Sequence, residues 1–303
     1  FDFPAYAEAM LRTALPGLPR ISVVVPSYNY ARYLPARLTS VFAQTQPVEE
    51  VIVLDDASTD DSAAVAEAAA ASAGRTIHLV VNAVNSGSVF RQWRRGAELA
   101  RGDWVWIAEA DDAADPALLA TLAARLRAAP DVVLALCDSR SIDAEGADVW
   151  PDYQGYYAAS GSDALARDAL FPARDFARRF LAERNLVLNA SAVLWRRSAL
   201  LAALGRCGPE LERLRMAGDW RLYLEVLADS DGSVAWVASP LNIHRRHAAS
   251  VTGRLAAPQH LEEIARLHRT ARGLLAPEPA ARDALASRQD AYLRQAASLL
   301  QAP

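Results

Sequence analysis

Cysteine is almost missing from this 303-residue sequence. The two present, Cys137 and Cys207, lie in or beside apolar sequence at no metal-ligand spacing. That excludes a disulfide scaffold and a thiolate metal site, and it reads as two buried free thiols in a reducing cytoplasm. No block of Lys or Arg occurs, and with a net charge of −4 a general nucleic-acid binder is not expected. No N-terminal stretch has the charged, apolar, small-residue order of a signal peptide. The longest alanine run contains Glu67 and Ser72 and is too weakly apolar for a membrane span. Glycine is missing from the loop after the first apolar run, Pro26-Ser27-Tyr28-Asn29-Tyr30, and no G-x-G-x-x-G follows any early strand. Both absences count against nucleotidyltransferases and dinucleotide-dependent oxidoreductases. An initiating Met is also missing; the chain opens Phe1-Asp2-Phe3-Pro4, and a module cut from a longer polypeptide is the expectation.

What is present suits a globular α/β protein, with 52% hydrophobic and 22% charged residues, enough for one substantial core. Short β-branched runs at 21–25, 51–54, 77–81 and 104–108 alternate with helix-period segments at 31–44, through the alanine run, and at 90–100. Ser58-Thr59-Asp60-Asp61 has the form of a capping box opening the second helix. A helix at 116–129 and a strand at 132–137 follow. Residues 138–168, rich in Gly, Ser, Asp and Tyr, read as loops over a site. Strands at 192–195 and 234–237 flank a helix at 220–227, and the chain is helical from 258, broken near Pro277 and Pro279. Apolar strands separated by helices predict a mostly parallel central sheet covered on both faces.

In such sheets the ligand crevice lies beyond the carboxyl ends of the strands. Three acidic clusters stand at predicted strand ends, namely Asp55-Asp56, Glu109-Ala110-Asp111-Asp112 and Asp138. Like charges converging on one edge raise each other's pKa unless a cation or donor groups satisfy them. Hard cations such as Mg²⁺ or Mn²⁺ take carboxylate oxygens together with substrate phosphates. A turn and a helix start explain Asp56 to Asp61 equally well. The run Glu109 to Asp112, directly after Trp-Val-Trp-Ile-Ala, is harder to explain as a mere loop.

Five ordered segments carry a resemblance: Val23-Val24-Val25-Pro26-Ser27-Tyr28-Asn29, Val53-Leu54-Asp55-Asp56-Ala57-Ser58-Thr59-Asp60, Asn85-Ser86-Gly87, Ile107-Ala108-Glu109-Ala110-Asp111-Asp112, and Met216-Ala217-Gly218-Asp219-Trp220. Over roughly residues 20 to 253 the chain resembles the inverting family 2 glycosyltransferases, which have the GT-A fold. The resemblance implies a leader at 1–20, a GT-A domain at 21–253 (nucleotide-sugar half 21–112, acceptor half 113–253) and a helical extension at 254–303. It implies a nucleotide diphosphate sugar donor at Pro26, Tyr28, Asp55, Asp56, Asn85, Gly87, Arg91, Glu109, Ala110, Asp111 and Arg246. It places a divalent Mn²⁺ or Mg²⁺ cofactor at Asp111, Asp112 and His247, and a catalytic base at Asp219. Glu109 stands where the family has the first Asp of Asp-x-Asp, and Gly218 where it commonly has Glu, which leaves Asp111 as the expected ligand.

A carboxylate base is needed because a hydroxyl is a poor nucleophile at neutral pH. Asp219 can serve as that base and as a helix N-cap at once. Gly218, Trp220, Asn189 and Ser191 are candidates for the acceptor side, with a polar turn the other reading of Asn189 and Ser191. In His244-Arg245-Arg246-His247, arginine suits phosphate oxygens and a neutral His can complete a metal site. Arg91 and Arg95 share a helix face, one turned toward the pyrophosphate or both solvated. His78, His260 and His268 read as structural or surface residues, and Trp93, Trp104 and Trp106 as core. Tyr153, Tyr156 and Tyr157 read as stacking candidates for an acceptor sugar. By the same resemblance the acceptor is an oligosaccharide or lipid-linked glycan, and other modules of a longer chain are partners. The setting is bacterial surface polysaccharide or lipopolysaccharide synthesis, in the cytoplasm at the inner face of the membrane, with uridine the first choice of base. The reading from another class is a binding module of the same fold that has lost turnover, motivated by Glu109 and Gly218.

Overall fold

The computed structural model describes residues 17–247 and 256–300. The predicted leader at 1–20 and the end of the predicted domain at 248–253 fall mostly outside them. Ten strands form one sheet: β1 (Ile21–Ser27), β2 (Glu50–Asp55), β3 (His78–Val81), β4 (Trp104–Ile107), β5 (Ala113–Ala114), β6 (Val132–Ile142), β7 (Asp148–Trp150), β8 (Ala169–Pro172), β9 (Val193–Arg196) and β10 (Ser233–Arg245). The order across the sheet is β3-β2-β1-β4-β9-β6-β10-β5, with β7 on β6 and β8 on β10. β1, β2, β3 and β4 pair in parallel, as do β6 and β10. β9 runs antiparallel to both of its neighbours, β4 and β6, so the sheet is mixed at its centre, a reversal the apolar pattern of a short strand does not encode.

β1 is buried along its whole length because helices cover both faces, which is why it reads as a continuous apolar run. Val23 and Val25 join Leu34, Leu38, Trp106 and Leu118 on one side, and Val24 joins Ile52, Leu54, Trp93 and Trp195 on the other. Each such Val or Leu contributes roughly 1.5–3 kcal/mol by leaving water. The Val89–Leu99 helix sits unusually close to β1, since a Cβ on Gly96 would meet Val24 Cγ1 at 2.3 Å. That approach sets Trp93 beneath the carboxylate loop that follows β4.

Several boundaries differ from expectation. The second helix is Ser62–Ser72, and its N-cap Asp61 makes no side-chain cap bond, so the 58–61 capping box does not form. Ser58 instead donates its backbone N–H to Asp55 Oδ1 at 2.8 Å. β6 continues past Cys137, so Asp138 lies inside a strand rather than at its end. Residues 138–168 hold most of that strand's polar half, β7 and the Gln154–Ala159 helix, rather than loops alone. β10 likewise runs on to Arg245 through bulges between Val237 and Asn242. Both cysteines are buried free thiols, as expected. The C-terminal helices are Ala257–Leu275 and Pro279–Leu300.

Candidate functional site

The carboxyl ends of β1 and β2 carry two interlocked loops. Asn29 adopts the left-handed conformation (φ 59°), which asparagine tolerates better than most residues. Its Oδ1 accepts from Thr59 N at 2.8 Å, and its own N–H donates to Ser58 Oγ at 2.9 Å. Asp55 accepts from Ser58 through Oδ1, while Oδ2 is buried with no protein partner. Asp56 is saturated, accepting from Asn82 Nδ2 (2.6 Å), Ser86 N (2.9 Å), Ser86 Oγ (2.8 Å) and Gln92 Nε2 (2.9 Å). Asn85 donates to Asp56 O at 2.8 Å and accepts from Gly87 N. The predicted donor residues Asp55, Asp56, Asn85 and Gly87 thus form one network, in which Asp56 builds the loop and Asp55 Oδ2 is left without a protein partner. Tyr28 lies exposed beside it, and Pro26 is buried within β1 opposite Leu54.

After β4 the carboxylates of residues 109–112 part company. Glu109 turns to the aromatic core, accepting from Trp93 Nε1 at 2.8 Å. Burial first, and then the charge of Asp111, push its carboxyl up to about 8. Asp112 turns the other way and is buried. Its Oδ2 accepts from Ser191 Oγ (2.7 Å) and Asn189 Nδ2 (3.0 Å), and its Oδ1 from Arg245 N (2.9 Å). With both oxygens accepting from protein donors, Asp112 anchors the loop. Among the described residues no three His, Cys, Asp or Glu side chains gather as metal ligands. Asp111 is partly exposed, its Oδ2 2.9 Å from His247 Nε2. Tyr33 and Tyr30 flank that imidazole, with ring centroids 5.1 and 6.2 Å away, and Arg245 lies over Tyr33. Burial and the neighbouring carboxylates raise the Tyr30 hydroxyl, so it stays a neutral donor to Asp111.

Arg37 was not singled out by sequence, yet it is fully buried beneath this loop. Its Nε donates to Glu109 O at 2.8 Å, one terminal nitrogen lies 3.9 Å from Asp112, and the guanidinium covers Trp106. Burial lowers its pKa, and the charges of Asp112, Asp111 and Glu109 oppose that fall. A helix-face arginine four residues after an apolar one carries no such signal by itself. Tyr33 was equally hidden.

The Gly218–Ala228 helix begins with Gly218-Asp219. A Cβ on Gly218 would stand 2.2 Å from Phe90 Cε2, so the family's usual glutamate has no room here. Asp219 Oδ1 accepts from Trp220 N at 2.6 Å. Burial, with a smaller push from the charge of Glu263, brings the Asp219 carboxyl up to about 7, against backbone hydrogen bonds and one from the Asn185 side chain that lower it. Phe90 packs on Trp93 (5.3 Å between centroids), so one aromatic pair links the Gly218 backbone to Glu109.

Other predicted residues lie elsewhere. Ser191 has no exposed surface; it donates to Asp112 and accepts from Glu109 N at 3.0 Å, while Asn189 Oδ1 accepts from Ser191 N, so both residues are engaged in the turn before β9. Trp220 is buried, donating to Leu181 O at 2.8 Å. Arg91 is held by Glu212 (2.6 Å) and Ser86 O (3.0 Å). Arg246 is stacked on Trp150 at 4.3 Å. Tyr153 and Tyr157 are buried, bonded to His244 Nδ1 and Asp138, because those polar partners make a home for them in the core; only Tyr156 is exposed. Ala110 is buried in the loop.

Residues 22–176, half of the chain, match the profile of the family described as Glycosyl transferase family 2. The chain is 32% identical over 102 residues to the glycosyltransferase GlyG of Streptococcus pneumoniae, covering 34% of this chain and 33% of that protein. It is 34% identical over 94 residues to a PGL/p-HBAD biosynthesis glycosyltransferase of Mycobacterium bovis, covering 31% and 36%. It therefore spans about a third of the length of these curated relatives. Among solved structures, S. aureus TarS in complex with UDP-GlcNAc superposes with a TM-score of 0.63 at 18% identity, over 90% of this chain and 72% of that one. A Pyrobaculum calidifontis mannosyltransferase in complex with GDP-Man and Mn²⁺ gives 0.60 at 21% identity, over 98% and 85%. These likenesses carry the GT-A fold.

Proposed function

The chain belongs to glycosyl transferase family 2, and on that footing we propose that it moves a sugar from a nucleotide diphosphate donor to a carbohydrate hydroxyl with inversion. The observation that supports this most is Asp219, a carboxyl that burial brings to about 7 at a helix start joined through Phe90 and Trp93 to the carboxylate loop. A base poised near working pH can take the acceptor's proton as the oxygen attacks the anomeric carbon from the face opposite the diphosphate. Asp55, whose Oδ2 has no protein partner, and Tyr28 receive the nucleoside, and Asn85 and Gly87 shape that pocket.

Asp111 and His247 suit a divalent cation. They offer one carboxylate and one imidazole, which a cation would take in place of their mutual Oδ2–Nε2 hydrogen bond, and such ions accept few protein ligands besides phosphate oxygens. When bound, the cation neutralises charge on the leaving diphosphate. Tyr30 and Tyr33 hold His247, while Arg37 and Asp112 hold the loop that carries Asp111. Fold neighbours bound to UDP-GlcNAc and to GDP-Man with Mn²⁺ support the donor class without selecting a base. A surface glycan acceptor at the inner face of the cytoplasmic membrane completes the proposal. No helix among the described residues is long and apolar enough to cross a membrane.

Calorimetric titration of UDP, GDP and dTDP with and without Mn²⁺, on wild type and Asp111→Ala, tests the donor half. One nucleotide should bind in a metal-dependent way that the substitution abolishes. Binding of none, or binding indifferent to both metal and Asp111, would contradict it.

A further inference from the structure

Glu263 lies on the Ala257–Leu275 helix, in a tail that carries no chemical signature in the sequence. Its Oε1 accepts from Arg215 N at 2.6 Å, and its Oε2 from Met216 N and Ala217 N, both at 2.9 Å. These are the three N–H groups directly before Gly218-Asp219, and the N-cap Ala217 of the helix they open has no side chain able to cap it. A carboxylate from a distant helix thus satisfies donors that the local sequence leaves open. Charge-assisted bonds to three successive backbone groups hold a loop more firmly than ordinary hydrogen bonds do.

The same loop is tied to the donor side. Arg215 Nη1 donates to Gly87 O at 2.7 Å, and Glu212 pairs with Arg91, which donates to Ser86 O. The helix bearing Glu263 is itself fixed to the domain. Ile264, Leu267 and Ala271 are buried, and His268 meets Glu183 O at 2.7 Å while standing edge-on to Trp220. On its other side the loop cannot drift toward the crevice, because Phe90 already fills the space beside Gly218.

We propose that Glu263 is a positioning residue, which clamps residues 215–217 so that Asp219 is presented to the acceptor hydroxyl. This rests on the reading of Asp219 as base, and it gives the C-terminal helix a part in the reaction. Glu263 touches neither reactant; it acts on Asp219 through the backbone that carries it, and its charge adds to the upward shift of the Asp219 carboxyl.

The test compares full-length wild type, Glu263→Ala and Glu263→Gln by nucleotide affinity, by kcat and KM for transfer, and by amide exchange at residues 215–217. In Glu263→Ala, kcat should fall about ten- to a hundredfold, the range expected for a small misplacement of a reacting group, with nucleotide affinity within about twofold of wild type. Exchange at 215–217 should accelerate. Glu263→Gln, keeping one acceptor oxygen, should fall between the two. Unchanged kcat in a folded Glu263→Ala protein, or equal losses in both variants that follow only their melting temperatures, would overturn the proposal. Absence of transfer by wild type would sink the functional reading instead, and unchanged exchange at 215–217 would then still sink the clamp.

Discussion

Asp219 offers the sharpest perturbation because its environment makes two opposite demands. With its carboxyl at about 7 it is about one tenth ionised near pH 6 and about nine tenths near pH 8. If it is the base, kcat rises about tenfold across that interval along a single-proton limb. Glu109, pushed up to about 8, is the other group titrating nearby, and Glu109→Gln separates them by leaving the limb near 7 in place. Asp219→Asn should lower kcat by about 10²–10⁴ and flatten the profile, with nucleotide binding retained. The same substitution should stabilise the fold at alkaline pH. The folded carboxyl sits above its ordinary 3.8, so the folded state holds the proton more tightly between about 4 and 7. Wild-type stability therefore falls as pH rises through that window, by at most about 4 kcal/mol, and the asparagine variant lacks that fall. Initial rates of nucleoside diphosphate release across the range, with urea unfolding near pH 4.5 and about pH 8, read both effects. A flat rate profile between about pH 6 and about pH 8, or an asparagine variant within about tenfold of wild type, would refute the assignment.

Gly218→Ala drives a methyl group against Phe90 and should cost about 1–3 kcal/mol, partly restored by Phe90→Leu, as measured by urea unfolding. Arg37→Met removes the buried cation under three carboxylates and should cost about 3–5 kcal/mol by the same assay, with weakened metal-dependent nucleotide binding.

The half of the fold that reads clearly from sequence is the half whose strands are buried on both faces. β1, β2 and β4 are unbroken apolar runs, and the acids that follow them mark the crevice. β6 and β10 were seen short because their outer halves are polar. Ser139, Ser141 and Asn242 are buried there all the same, with Asn242 Nδ2 donating to Ser139 Oγ at 3.0 Å across the strand pair, so burial there leaves no hydrophobic trace. Asp111 and Asp219 were legible from their motifs. The division of labour among neighbouring acids was not, because it depends on partners far along the chain: Trp93 for Glu109, Ser191 and Arg245 for Asp112. Arg37, Tyr33 and Glu263 were invisible for the same reason, each being an ordinary helix-surface residue type until the fold closes over it. Gly218 looked like a lost carboxylate, and the Phe90 ring beside it gives that loss a steric cause.

The most direct test of inverting transfer by Asp219 is to offer a panel of α-linked nucleotide diphosphate sugars with glycan acceptors and to read the anomeric configuration of the product by NMR. A β-linked product, formed by wild type and not by Asp219→Asn, is the expected result. An α-linked product, or equal formation by both proteins, would contradict it.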